Sequence, residues 1–330
     1  MKASVYRQYG SPDVLHLENV AKPTPADNEV LINVHATSIN DWDWGLLRGV
    51  PFVNRTTAGL LKPKKIQILG CDIAGTVEEV GQRITQFKVG DEVFGDISSC
   101  GFGGFAEYVC VNESALILKP ASMSFEQAAA LPQAGVLALQ GLLKGNIQQE
   151  QLEQDKKTVQ RVLINGASGG AGSFAVQIAK SFGAEVTGVC RTNKLEFVRS
   201  LGADYVIDFT QEDFTKNGQQ YDLILDLMAF HSIFDTYRAL SPRGRYIIEG
   251  GATVRVMQAV FIGTVLSLFS KKKMELLILK PNKDLATLIE LYESGKVIPV
   301  IDKCYSLSEA AEAMRYFGEG HKKGKVVITV

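Results

Sequence analysis

Apolar and polar positions follow two different periods along this chain. From Met1 to about Ala121, apolar residues fall in short runs such as Val30–His35, Ile73–Val77 and Ala106–Val111, separated by turns such as Val89-Gly-Asp91. That spacing predicts a β-rich unit. From Phe125 to about Pro281, brief continuous apolar runs (Val162–Ile164, Val186–Val189, Val206–Ile207, Leu223–Leu225, Tyr246–Ile248) alternate with helical segments. This predicts a parallel α/β sheet with helices on its faces. The change of texture falls near Ser122. After Pro281 the pattern predicts helices over Asp284–Ser294 and Ser308–Phe317, the second capped by Ser308, and then a closing strand over Lys325–Val330. The stretch Asn146–Gln160 is polar and aperiodic, and reads as an exposed loop or a short solvated helix.

Val256–Phe269 is almost wholly apolar and is followed by Lys271-Lys272-Lys273. A membrane-spanning helix needs about 20 apolar residues, so this segment is too short to cross. It is expected to be a buried or dimer-facing helix, with an interfacial membrane helix as the alternative.

Composition narrows the classes. A chain of 330 residues exceeds what one hydrophobic core usually sustains, so two domains are expected. With 35 basic against 36 acidic side chains there is no long-range field to attract nucleic acid or acidic lipid, which favours a small-molecule partner. Five scattered cysteines form neither a disulfide framework nor a metal knuckle. Without a long apolar run after Met1, the expected compartment is the cytoplasm.

The main chemical motif is a strand, loop and helix in that order. Val162–Asn165 is a buried strand, Gly166-Ala-Ser-Gly-Gly-Ala-Gly172 a small-residue turn, and Ser173–Phe182 an amphipathic helix. Small residues let the backbone approach a pyrophosphate, and amides at the helix start bind its charge. Against the dinucleotide fingerprint the loop reads Ala167, Ser168, Gly169, Gly170, Ala171, Gly172, with alanine at the first glycine position. The next strand runs into Cys190-Arg191-Thr192-Asn193-Lys194. An NAD-binding protein places a carboxylate there; this segment offers Arg191, Lys194 and Thr192 to a 2′-phosphate, which favours NADPH.

With these residues in view, the chain resembles the zinc-free quinone oxidoreductase-like branch of the medium-chain dehydrogenase/reductase superfamily. The landmarks are Gly10–Leu15, Ser38–Asp43, Leu69–Thr76, Val89–Gly95, Gly103–Tyr108, Leu131–Gly135, the glycine loop and Gly324–Val330. The resemblance implies a GroES-like β-barrel catalytic domain from residues 1–122 and 282–330, and an inserted Rossmann domain at 123–281. It also implies a homodimer joined through the Rossmann sheets near Met274–Leu279. Cys190, Phe209, Gly250 and Lys325 join the expected cofactor residues on the same ground, Lys325 as a basic residue reaching the pyrophosphate.

Zinc-dependent members of the superfamily carry Cys, a His-Glu pair and a further Cys or Asp where this chain has Asn40, Cys71-Asp72 and Gln133. No metal site is therefore expected. Without a Lewis acid, the favoured acceptor is a quinone or an enone or enal, whose reduced form delocalises the added charge. Asn40 is the candidate for holding the nicotinamide or substrate oxygen, with Asp43 orienting it; the plainer alternative is that the two residues cap a turn. Trp42 and Trp44 either wall a pocket or pack the barrel edge, and Phe230, Met257 and Phe261 either complete a pocket or belong to the core. Two other functions compete: an NADPH-binding redox sensor or RNA-associated protein with little catalysis, and a membrane-peripheral reductase of lipid-derived enals.

Overall fold

The computed structural model describes residues 1–147 and 159–330, so most of the polar stretch read as a loop lies outside the described residues. In chain order, β1 (Lys2–Tyr6), β2 (Leu15–Asn19), β3 (Glu29–Ser38), β4 (Asp72–Val80), β5 (Glu92–Asp96), β6 (Tyr108–Asn112) and β7 (Ile117–Leu118) come first. They are followed by β8 (Arg161–Asn165), β9 (Glu185–Cys190), β10 (Tyr205–Asp208), β11 (Tyr221–Asp226), β12 (Leu240–Ile248) and β13 (Lys273–Leu276). Then β14 (Ile301–Ser306) and β15 (Lys325–Thr329) close the chain. The helices used below are α1 (Asp41–Arg48), α2 (Phe125–Ala130), α3 (Pro132–Lys144), α4 (Gly170–Ser181), α5 (Leu285–Glu293) and α6 (Ala310–Gly318).

Two compact units form, one from residues 1–134, 281–285 and 299–330, the other from 135–280 and 286–298. The division falls inside α3 instead of near Ser122, because α2 packs on β3, β4 and β15 of the first unit. Residues 286–298, expected in the first unit, belong to the second, where Gln177 of α4 hydrogen-bonds the backbone of Ile298.

The first unit is a mixed sheet in the order β14-β15-β3-β4-β5-β7, with β6 also on β3. The ten-residue β3 serves as its spine. Its first half pairs with β6, its last three residues pair with β15, and β4 runs along its other edge, which brings Ser38, Asp72 and Val327 into register. Side chains such as Val30, Ile32, Val34, Ile73, Val93 and Val111 fill one core, while α1 and α6 cover a second, built on Leu46, Leu47, Met314, Phe317 and Val326. The α6 segment is capped by Ser306, not by Ser308: the Ser306 N–H donates to Glu309 Oε2 at 2.8 Å, and a short 3₁₀ turn precedes the helix. Strand β14 runs to Ser306, so the cap falls where the extended chain stops.

The second unit is a six-stranded parallel sheet in the order β10-β9-β8-β11-β12-β13. Val162, Leu163 and Ile164 are fully buried, as expected where helices cover both faces. The strands end in a row at Asn165, Cys190, Asp208, Asp226, Ile248 and Leu276. That carboxyl edge, near the reversal of strand order beside β8, is where open α/β sheets take ligands.

The apolar segment is one continuous helix, Thr253–Leu268, with a π turn over Ala259–Gly263. Of the two readings, buried or dimer-facing, it is not buried within this chain. Its small residues Ala259, Gly263 and Ser267 face the sheet, and its bulky ones point outward: Phe261 is 62% exposed, Leu268 75% and Phe269 86%. Val254, Met257 and Val265 share that outward face, and Phe230 is also exposed, so Phe230, Met257 and Phe261 are not core residues of this chain. No helix among the described residues is long and apolar enough to cross a membrane.

Candidate active site

In the second unit, β8 delivers the glycine loop to the start of α4. The N–H groups of Gly166 and Ala167 donate to the Val189 carbonyl, which ties the loop to β9. Gly166 holds φ +94°, a conformation that strains other residues. A Cβ on Gly172 would lie 2.1 Å from the Gly166 carbonyl oxygen, so only glycine lets the helix pack so close to the loop. The residue before the helix, Gly169, has no side chain to cap it, and the first turn holds no acidic residue. The amides of Gly170, Ala171 and Gly172 therefore start a twelve-residue helix with nothing local competing for an anion. Gly250 lies just past β12, on the same edge, beside the Leu227 carbonyl. The loop fits a dinucleotide pyrophosphate.

At the end of β9 the Arg191 guanidinium lies over the Phe209 ring, 5.9 Å from its centre, and the Phe209 N–H donates to the Cys190 carbonyl. Phe209 is largely exposed. Cys190 and Lys194 are buried side chains, and burial, with Asp208 adding to it, pushes the Cys190 thiol up to about 11, so it acts as a wall. The sequence suggested that no carboxylate stands here, and the structure corrects that: parallel pairing sets Asp208 opposite Cys190, and the Thr192 hydroxyl donates to Asp208 Oδ2 at 2.5 Å. The Thr192 and Thr210 hydrogen bonds hold Asp208 below the usual carboxylate range. A charge therefore sits one strand over from where the fingerprint looks for it. The signal available in the sequence was an Asp at a strand end followed two residues later by Thr210, whose amide it accepts.

A second polar group lies inside the first unit. The Asn40 N–H donates to Asp43 Oδ2 at 2.9 Å, and Gly70 N–H to Asp43 Oδ1 at 2.8 Å. Asn40 Nδ2 donates to Asp72 Oδ2 at 2.9 Å and reaches Cys71 Sγ at 3.3 Å, while Asn40 Oδ1 accepts from Lys325 Nζ at 2.5 Å. Gln133 donates its backbone N–H to Asp72 Oδ1 at 3.0 Å and its side-chain amide to Cys71 at 3.3 Å. Asp43, Asp72, Asp96 and Lys325 are all buried. Burial pushes Asp43 up to about 7 and, with Asp72 nearby, Asp96 up to about 6, and it raises Asp72 and Cys71 as well.

Sequence-predicted residues are thus sorted into two places. The loop, Cys190, Arg191, Thr192, Lys194, Phe209 and Gly250 gather in the second unit; Asn40, Asp43 and Lys325 gather in the first. Two expectations change. The Asn40 amide, expected to face a ligand, is committed at both ends to protein groups, and Lys325, expected to reach a pyrophosphate, is 2% exposed and turned inward. Asp43 accepts from the Asn40 backbone N–H and so caps α1, the plainer of the two readings. Trp44 packs over Gly318 and the α6 core, while Trp42 stands half open with its ring edge-on to Phe102.

Another buried pair escaped the sequence. At the ends of β11 and β12, Asp226 accepts from Asn165, Met228, Ala229 and Tyr246. Both Glu249 oxygens are buried without a hydrogen-bond partner among the described residues, and burial plus the neighbouring Asp226 raises its carboxyl well above the ordinary range.

Comparison with known proteins agrees with this arrangement. The family model described as Alcohol dehydrogenase GroES-like domain matches residues 26–121, and the one described as Zinc-binding dehydrogenase matches residues 201–328. A chloroplast envelope quinone oxidoreductase homolog of Arabidopsis thaliana is 34% identical, over 99% of this chain and 98% of the relative. The chain belongs to the quinone oxidoreductase-like medium-chain dehydrogenases/reductases. A chloroplastic NADPH-dependent alkenal/one oxidoreductase of the same plant is 34% identical over 99% of this chain and 79% of the relative. The structure of the quinone oxidoreductase from Coxiella burnetii superimposes with a TM-score of 0.86 at 30% identity, covering 100% of this chain and 99% of that one. This family member is accordingly an NAD(P)H oxidoreductase with a GroES-like unit and a Rossmann-type parallel sheet.

One matched description names zinc, and the cluster in the first unit is where an ion could be held: ligand atoms of Cys71, Asp72 and Asp96 lie within 4.8 Å of one another. The donor set does not suit it. Zinc binds thiolate, and the Cys71 sulfur is already approached by two amide N–H groups, those of Asn40 and Gln133, at 3.3 Å each. Asp72 already accepts from Ser38, Asn40 and Gln133, and an ammonium stands 3.5 Å away.

Proposed function

We propose that this chain is an NADPH-dependent, zinc-independent reductase of electrophilic small molecules, namely quinones or α,β-unsaturated ketones and aldehydes. The observation that carries the reading is the uncapped amide turn Gly170–Gly172, with Arg191 and Phe209 at the neighbouring strand end. Relatives named for quinone and alkenal/one reduction, matched over nearly the whole chain, support the acceptor class.

In this reading the α4 amides and dipole hold the pyrophosphate, Arg191 pairs with the 2′-phosphate, and the Phe209 face supports the adenine. Gly166 and Gly172 keep the loop close enough for those amides to converge. NADPH supplies a hydride when bound. An acceptor whose reduced form spreads its charge over a conjugated system needs hydrogen-bond donors more than a Lewis acid. In the first unit, Lys325 and Asp72 fix Asn40, and Asp43 keeps a carboxyl titrating near neutrality beside it.

The test is stopped-flow NADPH oxidation by chelator-treated protein against a panel of quinones and enals, with NADH in parallel. Turnover with NADPH and no metal requirement is expected. Tight NADPH binding without turnover on any acceptor would point instead to the redox-sensor reading. A preference for NADH, or activity restored only by added zinc, would overturn the proposal.

We also propose a homodimer through the free edge of β13 and the outward apolar face of Thr253–Leu268. The helix is tied to that strand through its inward side, where Ser267 Oγ accepts from the Met274 N–H. Light scattering on purified protein should give twice the 36.0 kDa chain mass. The same face, flanked by Arg255 and Lys271, favours a second reading, a reductase lying on membranes. A monomer that co-sediments with anionic liposomes would select it.

A further inference from the structure

We propose that the Lys325 ammonium occupies the cation position of the Cys71–Asp72–Asp96 cluster, so that replacing it with a neutral side chain converts this family member into a metal-binding protein. The inference rests on the zinc-independent reading above and deepens it.

Three side chains of metal-binding type converge within 4.8 Å of one another, slightly wider than one ion with bonds of about 2.0–2.3 Å spans, so small side-chain movements would close them on it. All three are fully buried. Such a group needs a compensating charge, because isolated buried carboxylates are costly. Among the described residues the only cation within salt-bridge distance of these carboxylates is Lys325, 3.5 Å from Asp72 and bonded to Asn40 Oδ1. One ammonium cannot serve every acceptor, and Asp96 Oδ2 is left buried with no hydrogen-bond partner among the described residues. The Asn40 amide is turned accordingly. Its oxygen faces the ammonium and its N–H groups face Asp72 and Cys71, so donor hydrogens point along the directions a metal would use. Lys325 is thus a positioning residue that sets this orientation. In its absence Asn40 Oδ1 loses its donor, and its amide can turn to present oxygen to an ion beside Cys71, Asp72 and Asp96.

The experiment titrates wild type and Lys325→Met with Co²⁺, following thiolate-to-cobalt charge transfer and visible d–d absorption. Wild type is expected to show no thiolate band. Lys325→Met should take one equivalent, with affinity raised about 100-fold, a scale on which neighbouring groups tune metal sites. The band should vanish on adding Cys71→Ser. If Lys325→Met is insoluble alone, it is refolded with and without Co²⁺: rescue by cobalt supports the proposal, and no rescue overturns it. A folded variant that takes no cobalt beside a metal-free wild type overturns this inference alone. Wild type binding cobalt through Cys71 would overturn both it and the zinc-independent reading.

Discussion

At the carboxyl edge of the second unit, the polar groups suited to a ligand are mostly backbone amides left without side-chain caps. Inside the first unit, side chains of Asn40, Asp43, Asp72, Gln133 and Lys325 satisfy one another almost completely. The difference shows how one chain handles charge in two ways. An amide turn can wait for an anion because water or ligand can reach it, and its dipole is part of the helix. A buried cluster of carboxylates cannot wait, so it must carry its own counter-charge and its own protons.

This contrast can be broken at either end. The largest effect is expected from Asp72→Ala, which strips Lys325, Asn40 and Ser38 of their shared acceptor. Leaving a buried cation unpaired costs about 3–5 kcal/mol, readable as a lower denaturant midpoint; a loss under 1 kcal/mol would mean that the cluster does not hold the unit together. Next comes Gly172→Ala, whose methyl meets the Gly166 carbonyl. Overpacking of this kind costs about 1–3 kcal/mol, and calorimetry should show NADPH affinity falling at least about tenfold as the amide turn shifts.

Arg191→Ala should then weaken NADPH by about 1.5 kcal/mol, the scale of one charged hydrogen bond, while leaving NADH nearly unchanged. Equal weakening of both cofactors would remove Arg191 from 2′-phosphate recognition. Asp208→Asn works in the opposite direction. Removing a carboxylate near the expected 2′-phosphate should tighten NADPH slightly, by less than Arg191→Ala weakens it, whereas weaker NADPH binding would show that Asp208 acts chiefly by holding Thr192. Last is a pH effect at Glu249. Its folded-state pKa lies above the ordinary value, so the native protein prefers the proton, and stability falls as pH rises from about 4.5 through that folded-state value. Glu249→Gln removes this loss, so the variant's melting temperature should gain on wild type as the buffer is raised from about pH 5 to about pH 8. A gap that stays constant with pH would mean that Glu249 is ionised and paired.

Much of the second unit was legible beforehand. Its buried strands read as short continuous apolar runs, and the loop announced itself by small residues between a strand and a helix. The end of β9 was half legible. Arg191 and Thr192 follow β9 directly in sequence, but Asp208 arrives from the next strand, 16 residues on, and only parallel pairing sets it against Cys190. The Thr253–Leu268 helix was recognisable as apolar, but not which residues it turns to the sheet: small ones pack inward and bulky ones point outward, the reverse of an ordinary surface helix. The boundary near Ser122 was displaced for a related reason: composition changes where helices begin, but α2 still packs on the first unit's sheet.

The sequence alone determined the periods and the glycine loop with its helix, because each is set by residues within a few positions of one another. Tertiary structure decided that Lys325 bonds Asn40 from 285 residues away, that Asp72 and Asp96 share one buried space, and that Asp208 stands against Thr192 at the end of β9. Local spacing fixes which groups a strand or helix presents. Which distant charges are forced out of water together depends on how strands from both ends of the chain pair along β3, and no local pattern records that.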